Sequence, residues 1–97
     1  MFGSIFRMRS KAGHKETVVS LFQEWERERK PKVAGAIAGY LFSPDGKPNE
    51  LIGVAVFQDK QSYFANAQDP AQDRWYRKVR EHLEADPAWE DSEVVTG

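Results

Sequence analysis

Two stretches of this sequence are apolar almost without interruption: Ala36-Ile37-Ala38-Gly39-Tyr40-Leu41-Phe42 and Leu51-Ile52-Gly53-Val54-Ala55-Val56-Phe57. Side chains of a β-strand point alternately to its two faces, so a strand with one wet face carries a polar residue at every second position. Neither stretch does. Strands over Ala34 to Phe42 and Leu51 to Phe57 therefore need cover on both faces. Between them, Ser43-Pro44-Asp45-Gly46-Lys47-Pro48-Asn49 is rich in residues that pre-set φ or tolerate positive φ, which makes the pair a hairpin with a long loop.

The remaining elements follow from periodicity. Phe2 to Arg9 alternates: Phe2, Ser4, Phe6 and Met8 fall on one face, Gly3, Ile5, Arg7 and Arg9 on the other, as in a strand. From His14 to about Lys30, Val18, Leu21, Phe22 and Trp25 fall at i, i+3, i+4 and i+7, the apolar stripe of a helix. Glu26 and Lys30 are spaced for an i,i+4 ion pair, and Pro31 ends the helix. Asp59 caps a short helix through Ala67. Asp69-Pro70-Ala71-Gln72 starts another, with Asp at the N-cap, Pro at the first helical position and Gln placed for a capping box. Trp75, Val79, His82 and Leu83 make the inward stripe of that helix, and Pro87 follows its end. Trp89 to Thr96 forms a last, more polar strand.

No linker, repeat or low-complexity tract interrupts the chain, and its 97 residues make one domain, residues 1–97. The order β-α-β-β-α-β predicts the α+β class and the ferredoxin-like split βαβ arrangement: a four-stranded antiparallel sheet with its helices on one face. Two helices cover one face only. The other face has no element left to cover it, and a second copy of the chain is the simplest cover. Burying such a face is favourable at about 25 cal/mol per Å² before association costs. The expectation is a homodimer through the sheet face.

Composition excludes other classes. Fourteen Lys and Arg against fifteen Asp and Glu give a net charge of -1 and a pI near 6.1, no electrostatic basis for nucleic acid or an anionic membrane. The third strand has an acid at its front, Glu50, and one aromatic, Phe57, unlike the basic, aromatic third strand of an RNA-recognition domain. With no cysteine, disulfides and thiolate chemistry are impossible. The N-terminal residues lack a signal peptide's apolar core, and no apolar run approaches the ~20 residues that span a bilayer. A cytoplasmic protein is expected.

Val54-Ala55-Val56-Phe57-Gln58-Asp59-Lys60-Gln61-Ser62-Tyr63-Phe64 closes a strand and opens a helix, and leads into Asp69-Pro70, Trp75-Tyr76 and Asp86-Pro87-Ala88-Trp89. In that order these residues resemble the antibiotic-biosynthesis-monooxygenase-like family of dimeric α/β barrels, over nearly the whole chain. The resemblance implies two sheets meeting face to face as a barrel, with a pocket in each protomer between sheet and helices. It also implies activities ranging from cofactor-independent oxygenation of phenolic polyketides to haem degradation. The haem-degrading branch has an Asn on the first strand, a Trp on the short helix and a His on the long helix. Here those positions fall near Ile5 or Arg7, Asn66 and Tyr76, and His82 lies about two turns too late, so haem degradation is not expected.

The phenol-oxygenating branch uses pocket Asn, Trp and Tyr residues to orient its substrate, and Asn66, Trp75 and Tyr76 match in type and region. They are the expected catalytic residues of a cofactor-independent monooxygenase acting on a small aromatic or quinol-like substrate. No cofactor is expected, and no metal, since the two histidines, His14 and His82, have no metal-ligand spacing. The alternative is a non-catalytic dimeric module that binds a small apolar metabolite. Each residue also has a purely structural reading: Trp75 as core, Asn66 as a helix terminator, Tyr76 as a solvent-facing residue, His82 as a satisfied core-edge residue and His14 as exposed.

Overall fold

A computed structural model describes residues 1–97. Strand β1 spans Phe2–Arg9, helix α1 Lys15–Glu24, β2 Ala36–Phe42, β3 Glu50–Phe57, α2 Lys60–Ala67, α3 Pro70–Arg80 and β4 Ala88–Glu93. The four strands form one sheet in the order β2-β3-β1-β4, antiparallel at every pairing. This is the expected split βαβ topology.

Register assigns the faces. Met8 pairs with Leu51, Phe6 with Gly53 and Ser4 with Ala55, and across the other edge Phe6 pairs with Trp89 and Ser4 with Asp91. Directly opposed residues share a face. Phe6, Met8 and Leu51 pack with Val18 of α1 and with Trp75, Val79 and Leu83, so this is the helix side and the core lies here. The outer side carries Ile5, Ile52, Val54, Val56, Ala38, Tyr40 and Phe42. No element covers it, and Tyr40 is 64% and Phe42 55% exposed. A bulge between Ala36 and Ala38 lets β2 keep Ala36 opposite Phe57 while the rest of the strand alternates.

Gly53 makes one core contact possible. A Cβ there would lie 2.1 Å from Cε2 and Cζ of Phe6. Its absence lets the Phe6 ring lie across β3 and reach Phe22 at 5.9 Å and Trp89 at 4.8 Å between centroids.

The helix boundaries refine the sequence reading. The first helix runs to the expected length, but not as one α-helix: Trp25–Arg29 is a π turn and Lys30–Lys32 a closing 3-10 turn that contains Pro31. Proline has no N–H to continue the ladder, so the helix tightens and stops. The Glu26–Lys30 pair forms at 2.9 Å. Asp59 caps α2 in a full capping box with Ser62. Asp69 caps α3 by accepting from the Ala71 N–H, but Gln72 does not close a box; its amide oxygen accepts from the Trp25 indole instead, at 2.7 Å. Helix α3 ends at Arg80, before His82 and Leu83, which follow in a turn.

Candidate functional site

Between the helix face of the sheet and the three helices lies a cavity of about 960 Å³, the upper end of the range that holds a small-molecule ligand. Its floor is low because β2 and β3 present small residues, Ala36, Gly39 and Ala55. Its walls are aromatic. Phe22 and Trp25 come from the first helical segment, Tyr63 and Phe64 from α2, Trp75 and Tyr76 from α3, and Trp89 from β4. These rings brace one another: Phe22 meets Trp75 edge-on at 4.9 Å and 84°, and Trp25 lies tilted at 55°, 6.3 Å from Trp75.

All three sequence-predicted site residues line this cavity. Trp75 is 9% exposed, and its indole N–H donates to the backbone carbonyl of Leu21 at 2.9 Å. That bond satisfies the N–H and fixes the ring as a wall; it leaves no donor for a ligand oxygen. Asn66 is the penultimate residue of α2 and, like every other non-glycine residue, has a negative φ, so it is not a left-handed helix terminator. Its Oδ1 accepts from the Arg29 guanidinium at 3.2 Å, and Arg29 lies 3.6 Å from Asp69. The π turn thereby ties the end of the first helix to the α2–α3 junction. Tyr76 is half-buried, 6.4 Å from Trp89. Burial, with the nearby charge of Asp86, raises its pKa above the ordinary tyrosine value, and Arg80 partly opposes this.

Four acidic side chains line the cavity. Glu26 pairs with Lys30, Asp73 with Arg77 at 2.8 Å and Asp86 with Arg80 at 2.7 Å. Asp91 has no cationic partner; its Oδ1 accepts from the Tyr63 hydroxyl at 2.7 Å. Desolvation, above all, pushes the Tyr63 pKa up to about 12, and the bond to Asp91 and its charge add to the rise. Ser4 acts the other way, near enough to ease the shift but outside hydrogen-bond geometry, so its buried Oγ has no partner.

Periodicity did not single out Ser4, Tyr63 or Asp91. The one available signal was Ser4 itself, a polar residue on the apolar face of β1 between Phe2 and Phe6. The two histidines also meet unexpectedly. His14 is half-buried rather than exposed, and its Nδ1 lies 2.9 Å from Nδ1 of His82. Neither lines the cavity. No group of three or more His, Cys, Asp or Glu residues is placed to hold a metal ion.

No family model and no curated protein matches the sequence. Solved structures do match. The crystal structure of an antibiotic biosynthesis monooxygenase superimposes with a TM-score of 0.78 over 99% of this chain and 100% of the other, at 16% identity. The chain has the antibiotic biosynthesis monooxygenase fold. A mutant of SnoaB, a cofactor-independent oxygenase from Streptomyces nogalater, shares this fold with a TM-score of 0.82 and 15% identity, over 99% and 94% of the two chains. A protein from Mycobacterium tuberculosis shares it with a TM-score of 0.82 and 12% identity, over 99% and 96%. At such identities the likeness is one of backbone fold. No helix is long and apolar enough to cross a membrane.

Proposed function

We propose that this chain is a cofactor-independent monooxygenase that holds a small aromatic or quinol-like substrate between sheet and helices. The observation that carries the reading is the aromatic-walled cavity of about 960 Å³, set in a fold shared with a protein that is itself a cofactor-independent oxygenase. Once deprotonated, such a substrate is its own reductant towards oxygen. The protein has to orient it, stabilise the oxyanion and exclude water. Trp75 supplies a fixed ring surface for stacking. Asn66, whose oxygen is held by Arg29, turns its amide N–H group to a substrate oxygen. Tyr76, kept as a phenol by its raised pKa, offers an O–H.

The working unit in this proposal is a homodimer through the outer sheet face. Ile5, Ile52, Val54, Val56, Tyr40 and Phe42 stand together on that face, which no element of the chain covers, and exposed apolar patches of this kind mark interaction surfaces.

Oxygen uptake with a panel of anthrones and hydroquinols, without added cofactor, tests the activity. Uptake well above the spontaneous rate, lost in folded Trp75→Leu and Asn66→Ala, is the expected result. Uptake equal in all three proteins overturns the residue roles. Ligand binding with no uptake across the panel favours the non-catalytic module.

A further inference from the structure

We propose that Ser4 and Tyr63, with Asp91 behind Tyr63, form a polar subsite that selects a ligand hydroxyl over an ether or carbonyl oxygen. The inference rests on the reading of the cavity as an aromatic-ligand site and names the chemical group that site prefers.

Ser4 and Asp91 are cross-strand partners on β1 and β4, on the helix side of the sheet. Tyr63 descends on them from the second turn of α2, its ring packed edge-on against Phe2 at 5.3 Å and Phe57 at 5.5 Å. All three line the cavity. The Tyr63 proton is committed to Asp91 at 2.7 Å. A carboxylate only accepts, so it can share no proton of its own. Tyr63 therefore meets a ligand with an oxygen lone pair and nothing else.

Ser4 is the complement. The residue is 2% exposed, and its hydroxyl is buried without a partner. A buried polar group left unpaired is costly, and such groups are rare in native structures. The missing partner is an atom that accepts from Ser4, beside one that donates to Tyr63. A hydroxyl is one group that does both. A carbonyl or an ether oxygen accepts from Ser4 but leaves Tyr63 unanswered. With aromatic walls around it, the preferred ligand is a ring bearing a free hydroxyl: a phenol or a hydroquinol rather than a methyl ether or a quinone.

Titration calorimetry of 2-naphthol against 2-methoxynaphthalene tests this, on wild-type protein and on Ser4→Ala and Tyr63→Phe. The wild type is expected to bind the naphthol about tenfold more tightly, the effect of one or two ordinary hydrogen bonds. Tyr63→Phe is expected to reduce that ratio to about threefold or less, with the methoxy compound little affected, while Ser4→Ala weakens both compounds by a similar factor because each accepts from that hydroxyl. Equal binding of both compounds by the wild type overturns the subsite and leaves the aromatic cavity standing. Binding of neither overturns the cavity reading, and the subsite with it. A ratio unchanged in Tyr63→Phe, or a methoxy compound bound as tightly by Ser4→Ala as by the wild type, overturns the assignment to these residues. The wild-type ratio decides by itself, so a variant that fails to fold leaves the test intact.

Discussion

Replacing Gly53 with alanine sets a backbone position on β3 against a single side chain. The added Cβ would lie 2.1 Å from two carbons of the Phe6 ring, where ordinary contact begins near 3.4 Å. The ring must retreat by roughly 1.3 Å, the difference between those two distances. Phe22 and Trp89 hold it on two sides at 5.9 and 4.8 Å, so it can retreat only along the cavity it borders, at the expense of those contacts. Overpacking of this kind costs about 1–3 kcal/mol. The lower chain entropy of alanine in the unfolded state returns about 0.5–1 kcal/mol of that. The net expectation is a loss of about 1–2 kcal/mol, or roughly 4–16 °C in Tm for a chain of this length. Thermal and urea unfolding at fixed protein concentration measure it. In a Phe6→Leu background the clash is relieved, so Gly53→Ala is expected to become neutral or slightly stabilising. A coupling between the two positions below about 0.5 kcal/mol in the double-mutant cycle would refute the account, since the cost would then not arise from the ring.

Three further outcomes are expected. Trp75→Phe removes the indole donor to the Leu21 carbonyl, which keeps the Trp25 backbone N–H, so the expected loss in urea unfolding is that of one ordinary hydrogen bond, about 0.5–1.5 kcal/mol; an unchanged midpoint would show that the indole bond adds nothing. Tyr40→Lys with Phe42→Glu places charge at 64% and 55% exposed positions on the outer sheet face, so sedimentation is expected to show a dimer in the wild type and a folded monomer in the variant. If both sediment alike, that face is not the interface. Tyr63 is protonated in the folded chain up to about pH 12 but in the unfolded chain only to its ordinary value of 10.0. The unfolded state thus binds fewer protons between those values, and stability falls as pH rises from 10 towards 12. Ultraviolet titration is expected to show a tyrosine titrating near 12 that disappears in Tyr63→Phe; the absence of that late step would contradict the burial of the phenol.

Local rules sufficed for the elements. Alternation in Phe2 to Arg9, the apolar runs around Gly39 and Gly53, and the Asp59 and Asp69-Pro70 starts each depend on neighbours within one or two turns of chain, and β1, β2, β3, α2 and α3 stand within two residues of where those signals put them at their starts. The two-faced apolar character of β2 and β3 likewise predicted the uncovered outer face. Asn66, Trp75 and Tyr76 were singled out by their match in type and region to the phenol-oxygenating branch, and all three line the cavity. Their partners were not legible, since Leu21 lies 54 positions from Trp75 and Arg29 lies 37 from Asn66. The same distance in sequence hid the meeting of Ser4 with Asp91, which depends on the register of β1 against β4, and of His14 with His82, which depends on how a turn after α3 returns to the start of α1. Periodicity reports which way a side chain points along its own element. What it meets there is settled only when strand register and helix packing bring distant residues within 3 Å, and hydrogen bonds, orphaned hydroxyls and shifted pKa values all arise at that step.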